Sequence, residues 1–131
     1  MFQIATVGST IEGTTPRGHC ERSYSCNCGP NGCRTCYEYA SGDVNGSISS
    51  GATNVLINGV RIAIDGSSTS ERVSCPSGYS AVGGSSGTGS VNATSRNVFI
   101  SGVPIACNGD PVNHFSGSGT ITSGVSNVLI L

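Results

Sequence analysis

Apolar residues come in short runs of four or five, separated by Gly, Ser, Asn and Thr, and no window sustains a helical period. The run Asn54-Val55-Leu56-Ile57 returns as Asn97-Val98-Phe99-Ile100 and again as Asn127-Val128-Leu129-Ile130. Each run closes a longer phrase: GSISSGATNVLI from Gly46, GSVNATSRNVFI from Gly89 and GTITSGVSNVLI from Gly119. Three near-copies of one short strand unit predict a body of pseudo-threefold order. Runs bounded by turn formers read as strands, and Asn58-Gly59 between two apolar runs is a strong hairpin signal. Ser101-Gly102 is a weaker version of the same turn. The 20 glycines would each cost a helix interior up to about 1 kcal/mol. The expected fold class is all-β.

The repeat continues past each turn. Val60 opens VRIAIDGS and Val103 opens VPIACNGD, whereas the third copy stops at Leu131. The missing piece is found at the other end, where Phe2 opens FQIATVGS with Ile4, Ala5 and Gly8 in register. The third hairpin is therefore expected to be stitched from both termini, with Leu131 and Met1 in the turn positions. Closure of this kind removes exposed strand edges, which otherwise invite association. The expectation is one small conical domain over 1–131, with three hairpin units about an axis and a Cys-rich loop insertion at about 21–41. Three connections, 9–45, 67–88 and 110–118, then leave the same end of the ring, opposite the hairpin turns.

Composition narrows the function classes. Charged residues make up 10% of the chain, the net charge is -1, and there are six Lys+Arg in all, every one an arginine. That balance gives no electrostatic footprint for nucleic acid or an anionic membrane. No apolar run is long enough to span a bilayer, and the N-terminus lacks the basic and apolar blocks of a secretory signal. Synthesis in a reducing cytosol is expected. The stretch from Gly83 to Ser90 has the composition of a disordered segment, but the regular apolar repeat argues against disorder of the whole chain.

Both histidines and six of the seven cysteines fall in the three connections. His19 and Cys20 lie in the first, Cys75 in the second and His114 in the third, so loops meeting on an axis would offer N and S ligands suited to tetrahedral zinc. The plain alternative makes His114 a polar surface residue and Cys75 a small buried hydrophobe. Cys26, Cys28, Cys33 and Cys36 have the spacing C-x-C-x4-C-x2-C, which reads as a second zinc site, or a share in the first, in a chain without a signal peptide. Disulfides formed after release are the alternative. Cys28, Cys33 and Cys36 also match part of the plant-type ferredoxin spacing with Cys75 as a distant fourth, a weaker iron-sulfur reading. Cys107 occupies the strand position held by Thr6 and Ile64, and packing is its expected role. No catalytic constellation stands out; the glycine-rich stretch lacks the Lys of a phosphate loop.

These features together resemble the PAAR-repeat proteins, the conical tips of contractile injection machines such as type VI secretion systems and phage tails. The resemblance rests on NVLING at Asn54 to Gly59 and NVFISG at Asn97 to Gly102. It rests also on Pro104-Ile105-Ala106-Cys107 where the family has Pro-Ala-Ala-Arg, and on Gly109-Asp110 followed by His114. It covers most of the chain except about 21–41. It implies a monomer that sits on the blunt end of a trimeric β-helix spike, one tip per trimer. It also implies a zinc ion near the vertex, held in the family by histidines and a cysteine, which carries over to His19, Cys75 and His114. The fourth place would fall to Cys20 or Cys26. The chain departs from the family in having two histidines, in lacking the motif Arg after Ala63 and Ala106, and in Ser67 where Asp is usual.

A trimeric shaft presents three equivalent surfaces, and one chain with three equivalent faces can satisfy them all while tapering to a point. The hairpin end, with Met1, Asn58, Gly59, Ser101, Gly102 and Leu131, is the expected docking base, and Phe2, Val60 and Val103 its apolar contact. The loop end would be the point that meets the target-cell outer membrane, stiffened by metal in place of a core. With both termini used to close the fold, the chain is expected to be all tip, assembled into a phage tail or secreted apparatus, and to act without enzymatic chemistry. The competing readings are a small zinc or iron-sulfur electron-transfer module and a β-rich adhesin or fibre tip.

Overall fold

A computed structural model describes residues 2–94 and 97–130, with Leu129 and Ile130 described by their backbone alone. In chain order the strands are β1 (Phe2–Gln3), β2 (Thr10–Thr14), β3 (Cys20–Gly29), β4 (Gly32–Ala40), β5 (Asp43–Ile48), β6 (Leu56–Ile57), β7 (Val60–Arg61), β8 (Ser68–Ser74), β9 (Ser80–Ala81), β10 (Ser86–Val91), β11 (Phe99–Ile100), β12 (Val103–Pro104), β13 (Pro111–His114), β14 (Gly117–Ile121) and β15 (Leu129–Ile130). One 3-10 turn, Arg17–His19, precedes β3. The chain is all-β, as its apolar pattern predicts.

The three repeats form three short hairpins. β6 pairs with β7, β11 with β12, and β1 with β15 through Phe2↔Ile130 and Gln3↔Leu129. The third hairpin is thus built from the two ends of the chain. The turn residues Asn58 (φ 53°) and Gly59 (φ 79°) are both left-handed, as are Ser101 (φ 50°) and Gly102 (φ 81°). This is the backbone a two-residue hairpin loop requires, and Asn and Gly adopt it most readily. Met1 and Leu131, expected at the third turn, lie outside the described residues.

Inside the hairpins the chain closes a cycle. Backbone bridges join Ile4 to Cys107, Thr6 to Ile62 and Ile64 to Ile105. The amide of Ala5 donates to the Ala106 carbonyl, that of Ala106 to Ala63, and that of Ala63 to Ala5, at 2.9 to 3.0 Å. All three alanines are fully buried. Each segment then turns the same way: Ser9, Ser67 and Asp110 donate their amides to Thr6, Ile64 and Cys107, with a positive-φ glycine just before each donor. Their side chains accept in return from Thr6, Ile64 and Cys107, at 2.9 to 3.0 Å. Ser67 therefore supplies the contact that Asp110 makes in its own repeat. Cys107 is buried and stands outside every disulfide, in keeping with a packing role.

Beyond these turns the structure differs from the expected loops. The three connections are themselves hairpins, and their arms form a closed antiparallel barrel in the order β10-β13-β14-β2-β5-β8. Strict alternation explains it: β8 reads Ser-Thr-Ser-Glu-Arg-Val-Ser with Thr69, Glu71 and Val73 buried and their neighbours exposed. A polar composition hid that period. The barrel core is Ile11, Ile48, Val91, Val112 and Ile121, in one cluster with the three alanines. A second cluster of Ile4, Ile62 and Ile105 packs against Val55, Ile57 and Ile100 of the hairpin side. The Cys-rich stretch is likewise no loop but the long β3/β4 ribbon, with β9 on its other edge at Cys20 and Glu21.

Candidate functional site

Chemistry-bearing side chains gather at the barrel end where β2 leads to β5, β8 to β10 and β13 to β14. Glu71 is 1% exposed and sits inside the barrel wall, so its carboxylate must be matched by donors. It accepts from His114 Nδ1 at 2.5 Å, from the Thr69 hydroxyl at 2.7 Å and from the Phe115 amide at 3.1 Å. Because a carboxylate accepts, His114 Nδ1 carries a proton, and its buried Nε2 has no hydrogen-bond partner among the described residues. The pair fits only because neighbouring strands carry glycine. A Cβ on Gly13 or Gly119 would lie 2.4 or 2.5 Å from Nε2, and one on Gly89 would lie 2.6 Å from the Glu71 carboxylate.

His19 is also buried, at the end of the 3-10 turn. Its Nε2 meets the Gly84 carbonyl at 2.6 Å and its Nδ1 the Ser116 hydroxyl at 2.5 Å. The carbonyl can only accept, so Nε2 carries the proton, and in the neutral ring Nδ1 accepts from Ser116. The edge of Phe115 completes the seat, with ring centroids 5.9 Å apart. Glycine at 83 is required here too, since a Cβ would come within 2.4 Å of Nδ1.

The cysteines expected as thiolate ligands are joined in pairs instead: Cys20–Cys75, Cys26–Cys36 and Cys28–Cys33. Strand geometry accounts for this. Cys36 opposes Tyr24 on the ribbon, one pleat from Cys26 on the same face, and their Cα atoms are 5.9 Å apart. Cys20, at the ribbon root, stands 5.8 Å from Cys75 just past β8. A disulfide sulfur has no thiolate to offer a metal or an iron-sulfur cluster. Among the described residues no three His, Cys, Asp or Glu side chains converge as a ligand set. With His19 spent on two hydrogen bonds and Cys75 paired with Cys20, only His114 Nε2 of the expected set is left unused. One nitrogen falls short of the four ligands of a structural zinc, so the residues present do not fit a vertex zinc.

At the hairpin end the described positions of the expected base are exposed or half-exposed: Phe2, Asn58, Gly59, Val60, Ser101, Gly102 and Val103. Sequence reasoning missed the other arms of the same hairpins. Leu56 is 56% and Phe99 49% exposed, and Val98 and Val128 are exposed with them. The signal was present in the Asn-Val-apolar-Ile repeat, whose third residue, Leu56 in one copy and Phe99 in another, is exposed while Ile57 and Ile100 pack against the second cluster.

A scan against protein-family models matches the PAAR motif over residues 40–114, more than half of the chain. The chain belongs to the PAAR-motif family. PAAR-motif proteins are structural spike-tip components of contractile injection systems, parts of phage tails or secretion apparatus that associate with a spike protein. The matched stretch runs from the foot of the ribbon at Ala40 to His114, so β3 and nearly all of β4 lie outside it. A comparison with curated proteins gave no match. No helix among the described residues is long and apolar enough to cross a membrane.

Proposed function

We propose that this PAAR-motif chain caps a trimeric β-helix spike, one tip per trimer, and is driven with it through a target-cell outer membrane. The hairpin end is the docking face and the barrel end, with its ribbon, leads. The observation that carries this reading is the cyclic Ala5, Ala63, Ala106 hydrogen bonding, which sets three apolar hairpins around one centre. A trimer ends in three like surfaces, and a single chain that repeats a contact three times meets each of them without a second copy. Leu56, Phe99, Val60 and Phe2 supply exposed apolar area where that contact is needed. The role asks for shape and stiffness and needs no reacting group, so the tip is read as acting without catalysis.

Mixing the chain with a trimeric β-helix shaft and weighing the product by native mass spectrometry tests this. One tip per three shaft chains is expected, and Leu56→Asp with Phe99→Asp should abolish the complex while leaving thermal unfolding of the isolated tip within about 2 °C, as surface changes do. Three tips per shaft, or a stable homotrimer of the tip alone, would favour a fibre tip instead.

A further inference from the structure

We propose that the leading end of this barrel is locked by a crosslink of the protein's own atoms, the Cys20–Cys75 disulfide with His19 beside it, and that this lock excludes metal. Three connections leave the barrel at this end, and each pair of them is joined. The disulfide ties the first to the second. His19, next in sequence to Cys20, reaches the second through the Gly84 carbonyl and the third through Ser116. Glu71 joins the second to the third through His114 and the Phe115 amide. A metal ion at the vertex would perform the same three-way tie, but both ring nitrogens of His19 and the sulfurs of Cys20 and Cys75 are already used, which leaves it His114 Nε2 alone of those expected ligands.

The fit is close around each part of the lock. Cys20 is fully buried, and its sulfur would lie 3.0 Å from a Cβ on Gly42. A Cβ on Gly83 would come 2.4 Å from the imidazole, so glycine there gives the ring its space. Closing the bond converts two thiols to one S–S linkage and releases two protons and two electrons, which a small-molecule disulfide such as oxidised glutathione accepts as it becomes two thiols. Zinc would require the same two sulfurs as thiolates. The ion and the linkage therefore exclude one another at this place. This inference does not depend on what the hairpin end docks to.

The test offers both outcomes to the same chain. The full-length protein is reduced, supplied with equimolar zinc, and then exposed to oxidised glutathione. Expected is release of any bound zinc to a colorimetric indicator and a fall to one titratable thiol in the denatured chain, that of Cys107. Trypsin should then yield fragment 18–22 covalently joined to fragment 73–96. After oxidation a chelator should leave the melting temperature unchanged, while a reductant lowers it by roughly 10 °C or more. A variant with Cys26, Cys28, Cys33 and Cys36 replaced by serine restricts the zinc and thiol signals to the barrel, and the fragment map of the unaltered chain serves if that variant does not fold. Zinc retained with Cys20 and Cys75 still titrating, or a chelator-sensitive melt after oxidation, overturns the proposal.

Discussion

At the scale of single residues, Glu71 is a costly position to alter. It is buried, and three donors from Thr69, His114 and Phe115 converge on its two oxygens. Glu71→Ala leaves those donors unmatched inside the barrel, and a loss of roughly 3–5 kcal/mol is expected. Glu71→Gln should cost less, since its carbonyl oxygen still accepts while its amide adds donors where donors already point. Urea unfolding of the two variants beside the parent measures both. Neither the burial of Glu71 nor its partner was legible beforehand, because Ser-Thr-Ser-Glu-Arg-Val shows no apolar alternation until one knows which side of the strand faces in. His114 was singled out for its imidazole, yet the side chain it needed lies 43 residues away. The alanines were plainer. Small residues recur at one register of all three repeats, and close approach of three backbones is the reason nothing larger stands there.

At the scale of elements, the two described hairpin turns have the same backbone and different chemistry. Ser101 holds a left-handed φ of 50° where Asn58 holds 53°, and Asn tolerates that region better than Ser. Ser101→Asn is expected to stabilise the chain by about 0.5 kcal/mol, read as a rise in melting temperature of the isolated chain. The hairpins and their closure by the two chain ends were readable because the repeat carries its own register: Phe2 to Gly8 could be aligned with Val60 to Gly66 before any contact was known. The barrel was not, since β10 and β14 are Gly, Ser and Thr rich and look like linkers. Their small side chains are what admits Glu71, His114 and Phe115 between the walls. The ribbon was expected to be a loop for a related reason. Four closely spaced cysteines attract a metal interpretation, and only the antiparallel register shows that Cys26 and Cys36 share one face.

At the scale of the whole molecule, the disulfides differ in reach. Cys20–Cys75 spans 55 residues, and the chain-entropy relation gives it about 4 kcal/mol. The ribbon pairs span 10 and 5 residues, for which the same relation gives roughly 2–3 kcal/mol each, confined to the ribbon itself. The first therefore bears on global unfolding, against a total stability of about 5–15 kcal/mol for a domain of this kind. Within the ribbon, Arg22 pairs with Glu38 at 3.1 Å and lies over the rings of Tyr24 and Tyr79, and Tyr79 donates to the same carboxylate at 3.1 Å. Those contacts bind the ribbon root to the segment leading into β9.

The pairing of Phe2 with Ile130 makes the two ends of the polypeptide neighbours across a single strand pair. The order of the repeats is then a matter of where the covalent chain happens to be cut. A circular permutant that links the old ends through a short turn and opens between Asn58 and Gly59 is expected to fold to the same barrel, with matching circular dichroism and cooperative unfolding. For the same reason, any polypeptide fused to either end would emerge on the side of the hairpin turns, the face proposed to dock, and leave the barrel end unencumbered.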